Sequence, residues 1–176
     1  MVDIETTGTN PDRNGMIQLA AVRFNLRERA VDTSKMFDRC LQLPTNRYWD
    51  EDTRRWWAQQ NQEVLRKILF RAEPVQPVLE DFAQFVGYTH EEPIRFWAKP
   101  TTFDYMFVSS YFKDYGVMSP FNFRLATDMN SYIRGLAQDA SLTTFKTDFV
   151  GNAHDAIVDV LNQIDTLFKA SDHYAR

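Results

Sequence analysis

The first five residues, Met1-Val2-Asp3-Ile4-Glu5, alternate apolar and acidic side chains, and this alternation constrains the fold more than any other feature of the chain. Side chains of a strand point to opposite faces in turn, so Val2 and Ile4 share one face while Asp3 and Glu5 share the other. Two carboxylates about 7 Å apart on one strand face repel each other unless a cation lies between them. Thr6-Thr7-Gly8 ends the strand, and Thr9 to Gly15 (TNPDRNG) has the chemistry of a turn. Met16 to Asn25 (MIQLAAVRFN) is rich in β-formers, and Lys35 to Leu43 reads as a third strand, so the chain opens as a meander.

The character changes after Asp50. Arg54 to Phe70 is helical with a polar break near Asn61, and Pro77 to Val86 is a second amphipathic stretch. Pro93 to Ala98 (PIRFWA) is an apolar strand, followed by a helical run from Thr101 to Tyr115 that Gly116 closes. Phe121 to Ala126 reads as a further strand, and a last helix runs from about Ala153 to Ala170. Strands first and alternating helix and strand afterwards predict one α/β domain over residues 1–176, a mixed sheet with helices packed on it.

Composition narrows the function classes. The chain has 176 residues, enough for a well-buried core, and no apolar run approaches the roughly 20 residues of a membrane helix. One cysteine, Cys40, excludes an internal disulfide and agrees with a cytoplasmic setting. A net charge of −4 disfavours tight, non-catalytic binding along a duplex, which needs a basic face. It does not exclude a nucleic-acid partner, because carboxylates that hold divalent cations carry a negative load that the bound ions reverse.

Three groups of residues carry candidate chemistry. Asp3 and Glu5 offer hard oxygen donors suited to Mg²⁺ or Mn²⁺, although a solvated acidic strand face would look the same. Phe103-Asp104 opens a helix after an apolar strand, where a first-turn carboxylate is also favoured by the helix dipole. His154 precedes Asp159 by five residues, and five helical residues turn through about 500°, so the two cannot share a helix face. They converge only if His154 lies before or at the start of the last helix. Neither His90 nor His173 has an Asp at that spacing.

Asp3-Ile4-Glu5-Thr6-Thr7-Gly8 (DIETTG) resembles the first motif of the DEDD exonucleases, Phe103-Asp104 the second, and His154 to Asp159 the third motif of the histidine branch, DEDDh or DnaQ-like. The motifs stand in the family's order, from Asp3 to the last helix. Arg54 to Ile68, with Trp56-Trp57, is similar to the tryptophan-pair segment of the phage exonuclease A and bacterial RNase AS type. Trp97-Ala98-Lys99-Pro100 resembles their approach to the second motif, with Ala98 and Pro100 where glycines are usual. The first strand, with two residues before Asp3, is shorter than the family's.

The resemblance implies an RNase H-like mixed sheet of five to six strands flanked by helices, and a 3′→5′ exonuclease that releases nucleoside 5′-monophosphates. It implies two Mg²⁺ or Mn²⁺ ions held by Asp3, Glu5, Asp104 and Asp159, with His154 as general base. Thr6 and Thr7 backbone N–H groups would meet the terminal 3′-hydroxyl, Phe103 would abut the last base, and Trp97 and Lys99 would flank the substrate. Of the two adjacent indoles, one is expected to pack inward and the other to rim the site. The partners implied are single-stranded DNA or RNA 3′ ends, with no membrane, and many relatives are homodimers. No residue separates RNA from DNA. The rivals are a non-catalytic binding module and an endonuclease on the same scaffold; the first is disfavoured because all five residues are present, the second by the histidine five residues before the last aspartate.

Overall fold

In a computed structural model that describes residues 1–87 and 94–175, three antiparallel strands form the spine: β1 (Val2–Thr6), β2 (Met16–Asn25) and β3 (Ala30–Leu41). Helices α1 (Glu51–Ala58) and α2 (Gln62–Phe70) follow, then β4 (Ala72–Glu73), which pairs parallel to β3, and α3 (Val75–Val86). A parallel pair of two-residue strands, β5 (Trp97–Ala98) and β6 (Thr127–Asp128), brackets α4 (Thr101–Asp114), and α5 (Met129–Ala137) and α6 (Ala156–Tyr174) complete the chain.

The mixed α/β architecture matches the expectation, but the hydrogen-bonded sheet is four strands plus a separate pair rather than five or six in a row. The reason lies at the outer edge of β1. There the Ile4 N–H is donated to the Asp104 carboxylate at 3.2 Å, so a side chain occupies a ladder position that a fifth strand would otherwise fill. The third strand begins at Ala30, five residues earlier than expected. Phe121 to Ala126 is not a strand: Phe123–Leu125 is one 3-10 turn capped by Asn122, and the strand is the next two residues. Pro93 and His90 lie outside the described residues.

Both faces of the spine are covered, which explains why β2 is buried without interruption from Met16 to Val22 instead of alternating. On one face Val2, Ile4, Leu19, Ala21 and Phe37 pack against α3 and α4 through Leu79, Phe82, Phe107 and Tyr111. On the other, Ala20, Val22 and Trp97 pack against α5 and α6 through Ile133, Val160, Ile164 and Leu167. A third cluster of Ile17, Cys40, Trp57, Val64 and Ile68 seats α1 and α2.

The break at Asn61 is real, because the Asn61 side chain accepts from the Glu63 N–H and caps α2, as Asp50 caps α1 through Thr53. The end of β1 is equally well tied. The Thr7 N–H is donated to Gly15 O at 2.8 Å, and its hydroxyl donates to Tyr48 O and accepts from the Gly15 N–H. Gly8 admits no side chain there, since a Cβ would fall 2.2 Å from the Asn14 side chain.

Candidate active site

The alternation of β1 turns Val2 and Ile4 into the α3–α4 core and leaves Asp3 and Glu5 on the α6 side, at the floor of an open cleft of about 550 Å³. Helix α4 delivers Asp104 from its first turn and α6 delivers Asp159 from its own. The chain before α6 delivers His154, whose backbone is left-handed at φ 66°. All five side chains line the same cleft, with Lys99 and Phe103 beside them. The helix start at Ala156 resolves the spacing problem, since His154 stands ahead of the helix and turns back to Asp159. Its backbone N–H is donated to Asp159 Oδ2 at 2.9 Å.

The acidic groups are buried and close. Glu5 is 8% exposed and Asp104 is 2% exposed. Burial pushes the Asp3 carboxyl well above its ordinary value, and the charges of Asp104 and Asp159 add to the rise. Burial does the same to Glu5, reinforced by Asp3, Asp159 and Asp104. Asp104 is raised by burial to about 7, and Asp159 is raised for the same reason. Among the described residues none of the four forms an ion pair with a Lys, Arg or His side chain. A buried, unpaired carboxylate cluster is costly unless protons or cations neutralise it.

The start of α6 is held from beneath by a polar network. The Asp155 carbonyl accepts from the Val158 and Asp159 N–H groups, but its side chain caps no N–H of α6, and the Ala156 N–H is instead donated to Gln18 Oε1 at 3.1 Å. Gln18 Nε2 bridges Asp155 at 2.9 Å and Asp38 at 2.8 Å, while Lys67 pairs with Asp155 and Arg71 with Asp38. Burial alone would raise the Asp155 carboxyl, but the bonds from Gln18 and Lys67 outweigh it and hold it below the ordinary range. The network ties α6 to β2, β3 and α2, and so fixes where His154 and Asp159 stand.

Residues 1–170 match the model of the 3′-5′ exoribonuclease Rv2179c-like domain. The chain belongs to this family. No curated protein sequence matches it. Among solved structures, the crystal structure of cell-death related nuclease 4 (CRN-4) aligns with a TM-score of 0.71 at 18% identity, over 98% of this chain and 62% of that one. At that identity the likeness is one of fold, and this chain spans less than two thirds of the other's length.

Within this exoribonuclease-family domain some expected contacts lie elsewhere. Trp97 is 8% exposed and packs edge-on against Phe24 and Tyr132 in the α5–α6 core, so it does not flank the cleft. Thr7 is fully buried and its N–H and hydroxyl are both committed to the turn, which removes it as a donor to substrate. Thr6 is also buried and outside the cleft lining; its hydroxyl donates to Gly8 O.

Other residues join the cleft that the motifs do not name. Gln163 donates to Asp3 Oδ1 at 2.7 Å, and its Oε1 is buried with no hydrogen-bond partner among the described residues. The signal was present, because Gln163 follows Asp159 by four residues and so lies on the same helix face. The irregular strap between α5 and α6 contributes Thr144, Phe145, Lys146, Thr147 and Phe149. Asn162 pins it by accepting from the Val150 N–H and donating to Val150 O, both at 2.9 Å. Such a strap has no periodic pattern to read.

The donor set suits a hard divalent cation. Glu5, His154 and Asp159 each present a ligand atom, all within 4.8 Å of one another, and Asp3 and Asp104 border the same cleft. Gln163 Oε1, without a donor among the described residues, is a further oxygen.

Proposed function

We propose that the chain is a divalent-metal-dependent exonuclease of the DEDDh type that removes nucleoside 5′-monophosphates from the 3′ end of single-stranded RNA. The observation that carries this reading is the convergence of four carboxylates, without an ion-pair partner among the described residues, and one histidine, from three separate chain segments, in a single open cleft. Family membership supports 3′→5′ polarity and RNA as the substrate class. Asp3, Glu5, Asp104 and Asp159 would hold the cations, and Gln163 would steady Asp3 through its amide. Bound divalent cations would supply Lewis-acid polarisation of the scissile phosphate and a more acidic water.

The remaining roles fall to the protein. His154 takes the proton of the attacking water, a task for an imidazole positioned beside the ligand set. Its backbone bond to Asp159 keeps it next to the ligand set while leaving the ring free to turn. Phe103, half-buried at the start of α4, presents an aromatic face that stacks on any terminal base, consistent with reading an end and not a sequence. Lys99 and Lys146, which both line the cleft, suit the phosphate backbone.

The test uses 5′-labelled single-stranded RNA and DNA oligomers, linear and circular, with Mg²⁺ or Mn²⁺ and an EDTA control. A descending ladder of one-nucleotide steps from linear RNA is expected, lost in EDTA and restored by either ion. Cleavage of the circle would move the site to the endonucleases, and full activity in excess chelator would remove the metal from the reading.

A further inference from the structure

We infer that Trp56 is a positioning residue that braces the His154 imidazole, an inference that rests on His154 being the general base. The tryptophan pair begins on a firmly held helix. Asp50 caps α1, and its own N–H is donated to Thr7 O at 2.8 Å, so the helix is bonded directly to the chain that leaves β1. Trp57 is 1% exposed, and its indole N–H is donated to Thr6 O at 3.1 Å, one residue from Glu5. Successive helical residues point about 100° apart. With Trp57 driven inward, Trp56 must emerge at the flank of the helix, and it does so at 40% exposure.

There it meets His154. The two rings stand edge-on, with centroids 4.6 Å apart and planes at 75°. Trp57 backs the contact, 5.2 Å from Trp56 and 6.3 Å from His154. The histidine needs such a neighbour. Its backbone is fixed by the left-handed φ and by the bond to Asp159, yet it precedes the helix and has no helical neighbour to limit its side-chain rotation. An edge-on aromatic contact biases a rotamer population by roughly 2- to 10-fold. His154 lines the cleft and Trp56 does not, so the indole reaches the reaction only through the imidazole.

The experiment compares Trp56→Ala, Trp56→Phe, His154→Ala and the double variant Trp56→Ala/His154→Ala, in the full chain with Mn²⁺ and an RNA oligomer. Trp56→Ala should lower kcat roughly 2- to 10-fold, with KM and Mn²⁺ affinity by titration within about twofold, and Trp56→Phe should recover most of the loss. In the His154→Ala background the removal of Trp56 should cost nothing further. In the metal-free protein, which needs no turnover, the ring proton resonances of His154 should move in Trp56→Ala and leave the other histidines unchanged. A KM increase that persists in the double variant would show that the indole binds substrate, and would overturn the brace. Unchanged kcat in Trp56→Ala, with His154→Ala impaired, would overturn the brace alone. A fully active His154→Ala enzyme would overturn the base assignment and the brace together.

Discussion

Asp3 and Glu5 stand on a strand laddered to β2, and Asp104 on the first turn of a long helix, whereas His154 stands on irregular chain in a left-handed conformation. One wall of the cleft is therefore rigid and repulsive, and the other is pinned at a few points. The acidic wall draws its precision from the core: Val2 and Ile4 are held in the α3–α4 cluster, and their burial aims the intervening carboxylates. The strap and His154 draw theirs from a handful of local contacts, the bonds of Asn162 to Val150, of Thr147 to Thr166 and of Asp159 to the His154 N–H, together with the polar network under the start of α6. The difference shows how a site can store electrostatic cost where the scaffold is stiff and keep its moving part where the scaffold is light.

The largest expected effect opposes activity to stability on the rigid wall. Asp104→Asn retains an acceptor for the Ile4 N–H but removes a charge, so turnover should fall below detection while the metal-free protein melts several degrees higher at pH 8. The sign follows from proton linkage. The folded carboxyl is raised from 3.8 to about 7, so between those values the native state binds more protons than the unfolded one, and stability falls as pH rises through that window. The pH dependence is best read as the difference between wild type and Asp104→Asn, which cancels the contributions of the other titrating groups. Equal melting temperatures across pH 5–8 in thermal scans of the two proteins would erase the proposed cost of burying the Asp104 charge. Saturating Mg²⁺ should flatten the wild-type slope.

A smaller effect belongs to the other wall. His154→Ala should lose roughly 10²–10⁴-fold in kcat with the melting temperature nearly unchanged, because the side chain is half-buried and its structural bond is made by the backbone. Steady-state kinetics beside a thermal scan distinguishes the two walls: a large loss of stability in this variant would mean that the histidine side is as built-in as the acidic floor.

The smallest concerns the strap. Asn162→Ala removes both bonds to Val150, and hydrogen bonds of this kind are worth about 1 kcal/mol each. Freed at that point, the strap should raise KM for RNA on the order of 10-fold and change kcat little. A pure kcat defect would show that the strap bears on the reacting groups and not on the substrate chain.

Much of this site was legible in the sequence, and the parts that were not share a cause. The side chains of a strand alternate whatever the fold, so the orientation of Asp3 and Glu5 against Val2 and Ile4 followed from residue order alone. The break at Asn61 followed from its polar residues, and the five-residue spacing required His154 to lie before or at the start of its helix if it was to meet Asp159, although the apolar pattern put that start near Ala153 and the helix begins at Ala156. Trp97 and Thr7 were misplaced for the opposite reason: proximity in sequence to a motif says nothing about which groups a neighbouring element has already taken. The loss of the continuous sheet arose in the same way, because a carboxylate from a hundred residues away occupies the Ile4 N–H. Gln18 as the acceptor at the start of α6, Gln163 against Asp3 and Trp56 against His154 are all contacts between distant segments. Local periodicity and spacing determine which way a side chain leaves its own element. Only packing of the elements against one another decides what it meets, since that depends on burial and hydrogen-bond satisfaction across the whole chain.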